Sequence, residues 1–392
     1  MNNIFFRGWI ILSSLFFKSF LIKFFSIAAL IFSYSFLFGV CFNNSVSILS
    51  QDSISVIKLT FVGDLMCHLP QVISSQINKD SFDFKPSFKY IKKFLENSDI
   101  TFGNLETVIG EEKDSYKGYP LFNSPPEFVE ALKYAKFDIL YTSNNHSFDQ
   151  GFSGIIRTIK VLKANQIDYL GTYLSQSDYD SLRIINKKNF KIGLLAYTYG
   201  LNINLNKYNK YAVKIIDTTL IKKEIKKLKE KSVDIILVYF HFGDEYKRKP
   251  SLYQKEIVKK TIEYGADIIV ASHPHVVQPI MVRNSSNNKI GKTLVAYSLG
   301  NFISNQRWRY SDAGVILNIR MSKNGSVVSF DSISIIPTWV YKGLVDGKNQ
   351  FYIIPSDTNK INEFYFLNNH DKKLIKRSYY DTMEMFLKQN NK

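Results

Sequence analysis

The chain has 392 residues, 45% of them hydrophobic, which is material for one large α/β domain or two smaller ones with an ample core. Its formal net charge is +17, but the lysines are scattered and no zinc-finger, helix-turn-helix or RNA-recognition pattern accompanies them, so no nucleic acid is expected as partner. Two cysteines, Cys41 and Cys67, exclude a disulfide framework.

Residues 1–23 form a short basic N-terminus with Arg7, Lys18 and Lys23 and no acid. From Phe24 to Phe42, FFSIAALIFSYSFLFGVCF carries no charge and is just long enough to cross a bilayer. No positive residue follows until Lys58, so the N-terminus is expected in the cytoplasm and the bulk of the chain outside it. No A-x-A-like cleavage site follows, and the segment reads as an uncleaved, single-pass signal-anchor. A lipoprotein is the alternative, since Cys41 follows FGV, although Val40 is bulky where a small residue is expected. Beyond residue 51 the balance is +14, with 48 basic and 34 acidic residues, which suits an anionic polymer or lipid surface.

A polar linker at 43–54 leads into alternating strands and helices. SVIKLTFVGDLM (55–66) reads as a strand, PSFKYIKKFLENS (86–98) as a helix and DITFGNLE (99–106) as a strand. PPEFVEALKYAK (125–136) is helical, FDILYTSNNH (137–146) a strand, GFSGIIRTIKVLKANQ (151–166) a helix and IDYLG a short strand. The strand NFKIGLLAYTYG (189–200) precedes IKKEIKKLKEK (221–231), whose spacing gives a helix with a solvated lysine face. VDIILVYFHFG (233–243), a helix near 252–264 and ADIIVASHPH complete a βαβ pattern, a sheet with helices on both faces. From about 290, TLVAYSLGNF, GVILNIRM and SVVSFDSISIIP read as consecutive antiparallel strands, a second sheet packed on the first. The domain is thus drawn over 55–342, with 343–392 as a polar C-terminal extension packed on or flanking it.

At the carboxyl ends of these strands stand Asp64, Glu106, Asn145 with His146, His241, and His273 with His275. In an open α/β sheet such ends face one crevice, so residues far apart in sequence converge. Pro274 restricts the backbone between the last two histidines and is placed to aim both at one point. Carboxylates, imidazoles and an Asn carbonyl form a mixed oxygen and nitrogen set, suited to Zn, Mn or Fe rather than Mg or Ca. Six ligands exceed the needs of one tetrahedral zinc, so two ions sharing a bridging group is the economical expectation; such pairs, about 3.5–4 Å apart, activate water and clamp a phosphoryl oxygen.

GDLM, GNLE, NNHSFDQG, HFGDEY, SHPHVVQ and SLGNF, in this order from Gly63 to Phe302, resemble the CapA family of capsule and poly-γ-glutamate synthesis proteins, relatives of the calcineurin-like metallophosphoesterases. The resemblance implies an α/β fold, a four-layer double β-sandwich flanked by helices, here preceded by one transmembrane helix. It also implies roles. Asp64 resembles the ligand that opens the pattern and Glu106 the carboxylate bridging both metals, while Asn145, His241, His273 and His275 match the later ligands. His146 resembles the general acid that assists the leaving group. Asp149 is expected either to orient that imidazole or to cap the helix from Gly151. Asn104, Glu245 and Asn301 are expected as partners of the ligands rather than ligands, with an ordinary loop acid as the alternative for Glu245. One position departs from the wider phosphoesterase pattern: Met66 stands where Asp-x-His has its histidine, and a thioether is a poor ligand for a hard divalent ion.

Two functions of different kinds follow. One is a membrane-anchored, extracytoplasmic hydrolase of phosphoester or amide bonds in an envelope polymer, with metal-activated water as nucleophile; a lipid- or nucleotide-directed phosphatase is its variant. The other is an accessory protein that binds and helps export an anionic polymer, working beside membrane subunits of a synthesis complex.

Overall fold

The computed structural model describes residues 54–110 and 116–390; the expected transmembrane segment at 24–42 lies outside them. Among the described residues, no helix is long and apolar enough to cross a membrane. Strand β1 (Ser55–Leu65) opens the fold and is followed by a small hairpin, β2 (Gln76–Asn78) and β3 (Ser81–Phe82). Then come β4 (Ile100–Leu105), β5 (Ile139–Tyr141) and β6 (Asp168–Leu170), with the helix Glu127–Tyr134 before β5 and Gly151–Ala164 before β6. The second half begins with the hairpin β7 (Arg183–Lys187) and β8 (Phe190–Thr198). Helix Thr218–Glu230 leads to β9 (Ile235–His241), and helix Leu252–Tyr264 leads to β10 (Ile268–Ser272). The chain ends with β11 (Ile280–Asn284), β12 (Lys292–Ala296), β13 (Asn301–Ile303), β14 (Ala313–Asn324), β15 (Val327–Val345), β16 (Lys348–Pro355) and the helix Asn369–Asn390.

Two mixed sheets result. One is eight-stranded, ordered β16-β15-β14-β1-β4-β5-β6, with β13 also paired to β1; the other is six-stranded, ordered β11-β12-β10-β9-β8-β7. Alternation along each strand decides which face is inside. Ile57, Leu59 and Phe61 of β1 meet Ile192 and Leu194 of β8 and Ile235 and Leu237 of β9 in the core between the sheets. Val62 and Leu65 face the other way, against Phe128, Val129 and Leu132 of a helix. On the far side, Val238 and Phe240 pack on Ile221, Ile225 and Leu228. The layers therefore run helix, sheet, sheet, helix.

Several expectations change in detail. The strands after residue 290 do not form a sheet of their own. β12 joins the six-stranded sheet parallel to β10, while β14, β15 and β16 extend the first sheet from the antiparallel edge of β1. The stretch 86–98 is a 3₁₀ turn, Lys85–Phe88, followed by the short helix Lys92–Leu95; its apolar spacing is met because Phe88, Ile91 and Leu95 all enter the outer core. The boundary drawn after residue 342 falls inside β15, which continues to Val345 and pairs with β16. The C-terminal helix buries Ile375 in a cluster with Trp339 and Ile354.

Candidate metal centre

Asp64 lies near the end of β1, in register with Asn104 on β4 and with Asn301 on β13, so an amide side chain stands on each flanking strand. The approach is close: Asp64 N donates to Gly300 O at 2.9 Å, and a Cβ on Gly63 would sit 1.8 Å from that carbonyl oxygen. This is a physical reason for glycine in GDLM; in SLGNF, Gly300 has φ 69° and a Cβ there would sit 2.7 Å from Ala313 O. On the other sheet, β9 ends at His241, opposite Ser272 of β10, and the chain then turns through His273, Pro274 and His275. His273 (φ 106°) and His275 (φ 58°) both have positive φ, a conformation that costs a non-glycine residue about 1–3 kcal/mol and clusters at functional sites.

The two sheets thereby bring buried groups together. Asp64, Glu106 and His241 form one set able to hold a metal ion, and Glu106, His273 and His275 form another, the ligand atoms within each lying within 4.8 Å of one another. Glu106 belongs to both. Its Oε1 is buried without a hydrogen-bond partner, 3.6 Å from His241 Nε2 and 3.7 Å from His275 Nε2, and His273 Nδ1 is likewise unpartnered. A buried carboxylate oxygen and a buried imidazole nitrogen without partners are costly unless a cation serves both.

Electrostatics agree with that reading. Burial, then the neighbouring Asp64 carboxylate, pushes Glu106 well above the usual carboxylate range. Burial, reinforced by the other imidazoles, holds His241 well below its ordinary value and His273 down to about 3. Asp64 is lowered: burial alone would raise it, but hydrogen bonding to His275, the charge of that imidazole and the Asn104 amide outweigh the burial. Asn104 Nδ2 lies 2.8 Å from Asp64 Oδ1, 3.1 Å from Glu106 Oε2 and 3.3 Å from His241 Nδ1. Its Oδ1 accepts from Asn144 Nδ2 at 3.1 Å, which orients the amide.

Asn145 Oδ1 is 2.7 Å from His241 Nε2, placing the Asn carbonyl beside the same cluster. His146 Nδ1 lies 2.6 Å from Asp149 Oδ2, and that oxygen also accepts from Phe122 N at 2.8 Å. Helix Gly151–Ala164 has Gln150, not Asp149, at its N-cap, and the Asp149 carboxylate meets the His146 imidazole instead. Asn301 Oδ1 is 3.1 Å from His275 Nδ1, and its Nδ2 donates to Gln306 Oε1 and Ser311 O. Glu245 is exposed and its carboxylate engages the Tyr246 side chain, which matches the second of its two expected roles, an ordinary loop acid. Met66 is buried, and unlike Leu65 and Cys67 it is not part of the outer core.

Several neighbours were not singled out from sequence. Tyr199 tilts over His273 with ring centroids 4.6 Å apart, and Asn202 Nδ2 lies 3.1 Å from His146 Nδ1. Tyr246 stands 5.9 Å from His275 and 5.0 Å from Trp308, both measured between ring centroids. His68 sits beside Phe122. Tyr199 had a usable signal, since it follows β8 at the same edge as His241; Asn202 and Trp308 arrive from loops and had none.

A two-sheet α/β sandwich that gathers carboxylates and imidazoles at its strand ends defines the class. The sequence comparisons define the family. Residues 58–306 match the model of the bacterial capsule synthesis protein PGA_cap, and the chain belongs to that family. It is 30% identical over 315 residues to the PGA biosynthesis protein CapA of Bacillus subtilis, covering 78% of this chain and 79% of that one. It is 27% identical over 319 residues to the capsule biosynthesis protein CapA of Bacillus anthracis, covering 78% and 74%. Among solved structures it is similar to a calcineurin-like phosphoesterase of Bacillus subtilis, with a TM-score of 0.44, 15% identity, and 84% and 98% of the two chains covered. It is also similar to the NAD nucleotidase of Haemophilus influenzae, with a TM-score of 0.46, 14% identity, and 85% and 60% covered.

Proposed function

We propose that this CapA-like chain is a membrane-anchored, extracytoplasmic hydrolase of capsule or related envelope-polymer biosynthesis, dependent on one or two divalent transition metal ions (Mn, Zn or Fe). The observation that carries the reading is the pair of ligand groups sharing Glu106, whose Oε1 is buried without a partner. Asp64, Glu106, Asn145, His241, His273 and His275 would hold the metal, and the nitrogen and oxygen donor set fits such an ion. When bound, a transition metal of this kind lowers the pKa of a water and polarises a phosphoryl or amide oxygen.

The chain's own groups supply the rest. Asp149 orients the His146 imidazole through Nδ1, leaving Nε2 to deliver a proton to the leaving group. Asn104 holds Asp64 and Glu106 in place by donating to both carboxylates. Tyr199 and Tyr246, each about two-fifths exposed, border the histidines and offer ring faces to whatever enters.

The test is hydrolysis by the detergent-solubilised full chain, loaded with Mn or Zn, against a chromogenic phosphodiester and against poly-γ-glutamate. Turnover lost in His146→Ala with metal content unchanged is the expected result. The +14 balance beyond residue 51 favours a second reading, an accessory subunit that binds and hands on an anionic polymer. Polymer binding without turnover by the metal-loaded protein would establish that reading instead.

A further inference from the structure

His68 belongs to neither ligand group and has no task in the mechanism above. It stands four residues beyond Asp64, just after β1 ends, and half-buried. Its ring meets Phe122 edge-on, with centroids 5.2 Å apart and planes at 86°. Phe122 in turn meets His146 edge-on, at 4.7 Å and 84°. One phenyl ring is therefore flanked by two imidazoles. That phenyl is tied to the site by its own backbone, since Phe122 N donates to the Asp149 oxygen that holds His146.

The orientation of His68 is held as well. Its backbone N–H donates to Gln71 Oε1 at 2.9 Å, while Gln71 Nε2 donates to Met66 O at 2.9 Å. The backbone N–H of Asn305 points at His68 Nδ1 from 3.3 Å. Gln71 Oε1 also lies 3.3 Å from Nδ1 and has a second lone pair, but the Asn305 amide can only donate and needs Nδ1 as its acceptor. Nδ1 is then the acceptor, and Nε2 carries the hydrogen. Burial outweighs the opposing hydrogen bond to Gln71 and, with a smaller contribution from the neighbouring His275 and His146, holds the imidazole down to about 4, so it is neutral under ordinary conditions. Such a ring is a donor of a hydrogen bond rather than an acid.

We propose that His68 is a substrate-binding residue, whose neutral Nε2–H donates to an oxygen of an anionic tetrahedral group, phosphoryl in kind, held across Phe122 from His146. The inference rests on the metal-dependent reading given above. The imidazole side of the group would then be divided between His146, which gives up a proton, and His68, which holds an oxygen without changing charge.

The probe is inorganic phosphate, titrated calorimetrically into the metal-loaded full chain in detergent, with metal content measured on every sample. His68→Phe keeps a ring against Phe122 but has no donor; His68→Gln keeps an N–H donor. A hydrogen bond to a charged group predicts at least about a tenfold loss of phosphate affinity in His68→Phe, substantial recovery in His68→Gln, and unchanged metal content in both. Unchanged phosphate affinity in His68→Phe, at wild-type metal content and melting temperature, overturns the proposal and leaves His68 a packing residue. Metal lost from His68→Phe overturns it differently, making His68 a ligand. Wild-type protein that takes up no metal removes the metal-dependent reading itself, and with it this inference.

Discussion

At the scale of single residues, Glu106 carries the largest consequence. Its carboxyl holds a proton in the folded, metal-free protein at pH values where the unfolded chain has lost it. The stability it contributes is complete below its ordinary value of 4.5 and is lost as pH rises toward the raised folded value. Metal-free wild type should therefore lose stability relative to Glu106→Gln as pH climbs above 4.5, by up to about 1.4 kcal/mol per pH unit. Denaturant midpoints at several pH values check this, and parallel profiles for the two proteins would contradict it. Asn104 gives a second expectation. Removing its amide in Asn104→Ala leaves Asp64 and Glu106 without their common donor and should weaken metal binding about 10–100-fold, measured by competition with a chelator. The ligand candidates were legible because each follows an unmistakable apolar strand. Asn144, Asn202 and His68 were not assigned, because what places them is a tertiary contact and no local pattern encodes it.

At the scale of elements, an aromatic ladder underlies the site. Phe61 stacks on Phe102 at 4.7 Å, Phe102 on Tyr141 at 5.8 Å, and Tyr141 crosses to Tyr239 of the other sheet at 3.9 Å. Phe102 is fully buried in the middle of this run, so Phe102→Ala should cost about 3–5 kcal/mol of unfolding free energy. A loss below about 1 kcal/mol in equilibrium denaturation would show that Phe102 does not carry the packing of this ladder. The strand and helix alternation was readable up to β10, where period and capping agree: Ser251 and Gln254 form a capping box, and Gly265 ends that helix with φ 105°. Of the later strands, β11 and β16 were not identified, and the sheet to which the others belong was not legible. Alternation fixes which face is buried; it does not say whether β14 pairs with β12 or with β1. The expected strand 137–146 shrinks to Ile139–Tyr141 because the chain leaves the sheet to present Asn144, Asn145 and His146.

At the scale of the whole molecule, the centre joins two halves of the chain. Asp64 and Glu106 come from the first sheet and its strand ends, while His241, His273 and His275 come from the second. A metal bound there stabilises the folded state by mass action, by about 2.7 kcal/mol when its free concentration is 100 times its Kd. Chelation should lower the melting temperature by at least a few degrees, and adding Mn or Zn should restore it. The most direct measurement is metal stoichiometry by mass spectrometry on the detergent-solubilised full chain, beside a His273→Ala/His275→Ala variant. One or two transition metal ions per chain, with the shared Glu106 group emptied in the variant, is the predicted result. No metal after controlled reloading with Mn and Zn, or the same content in both proteins, would contradict the metal centre.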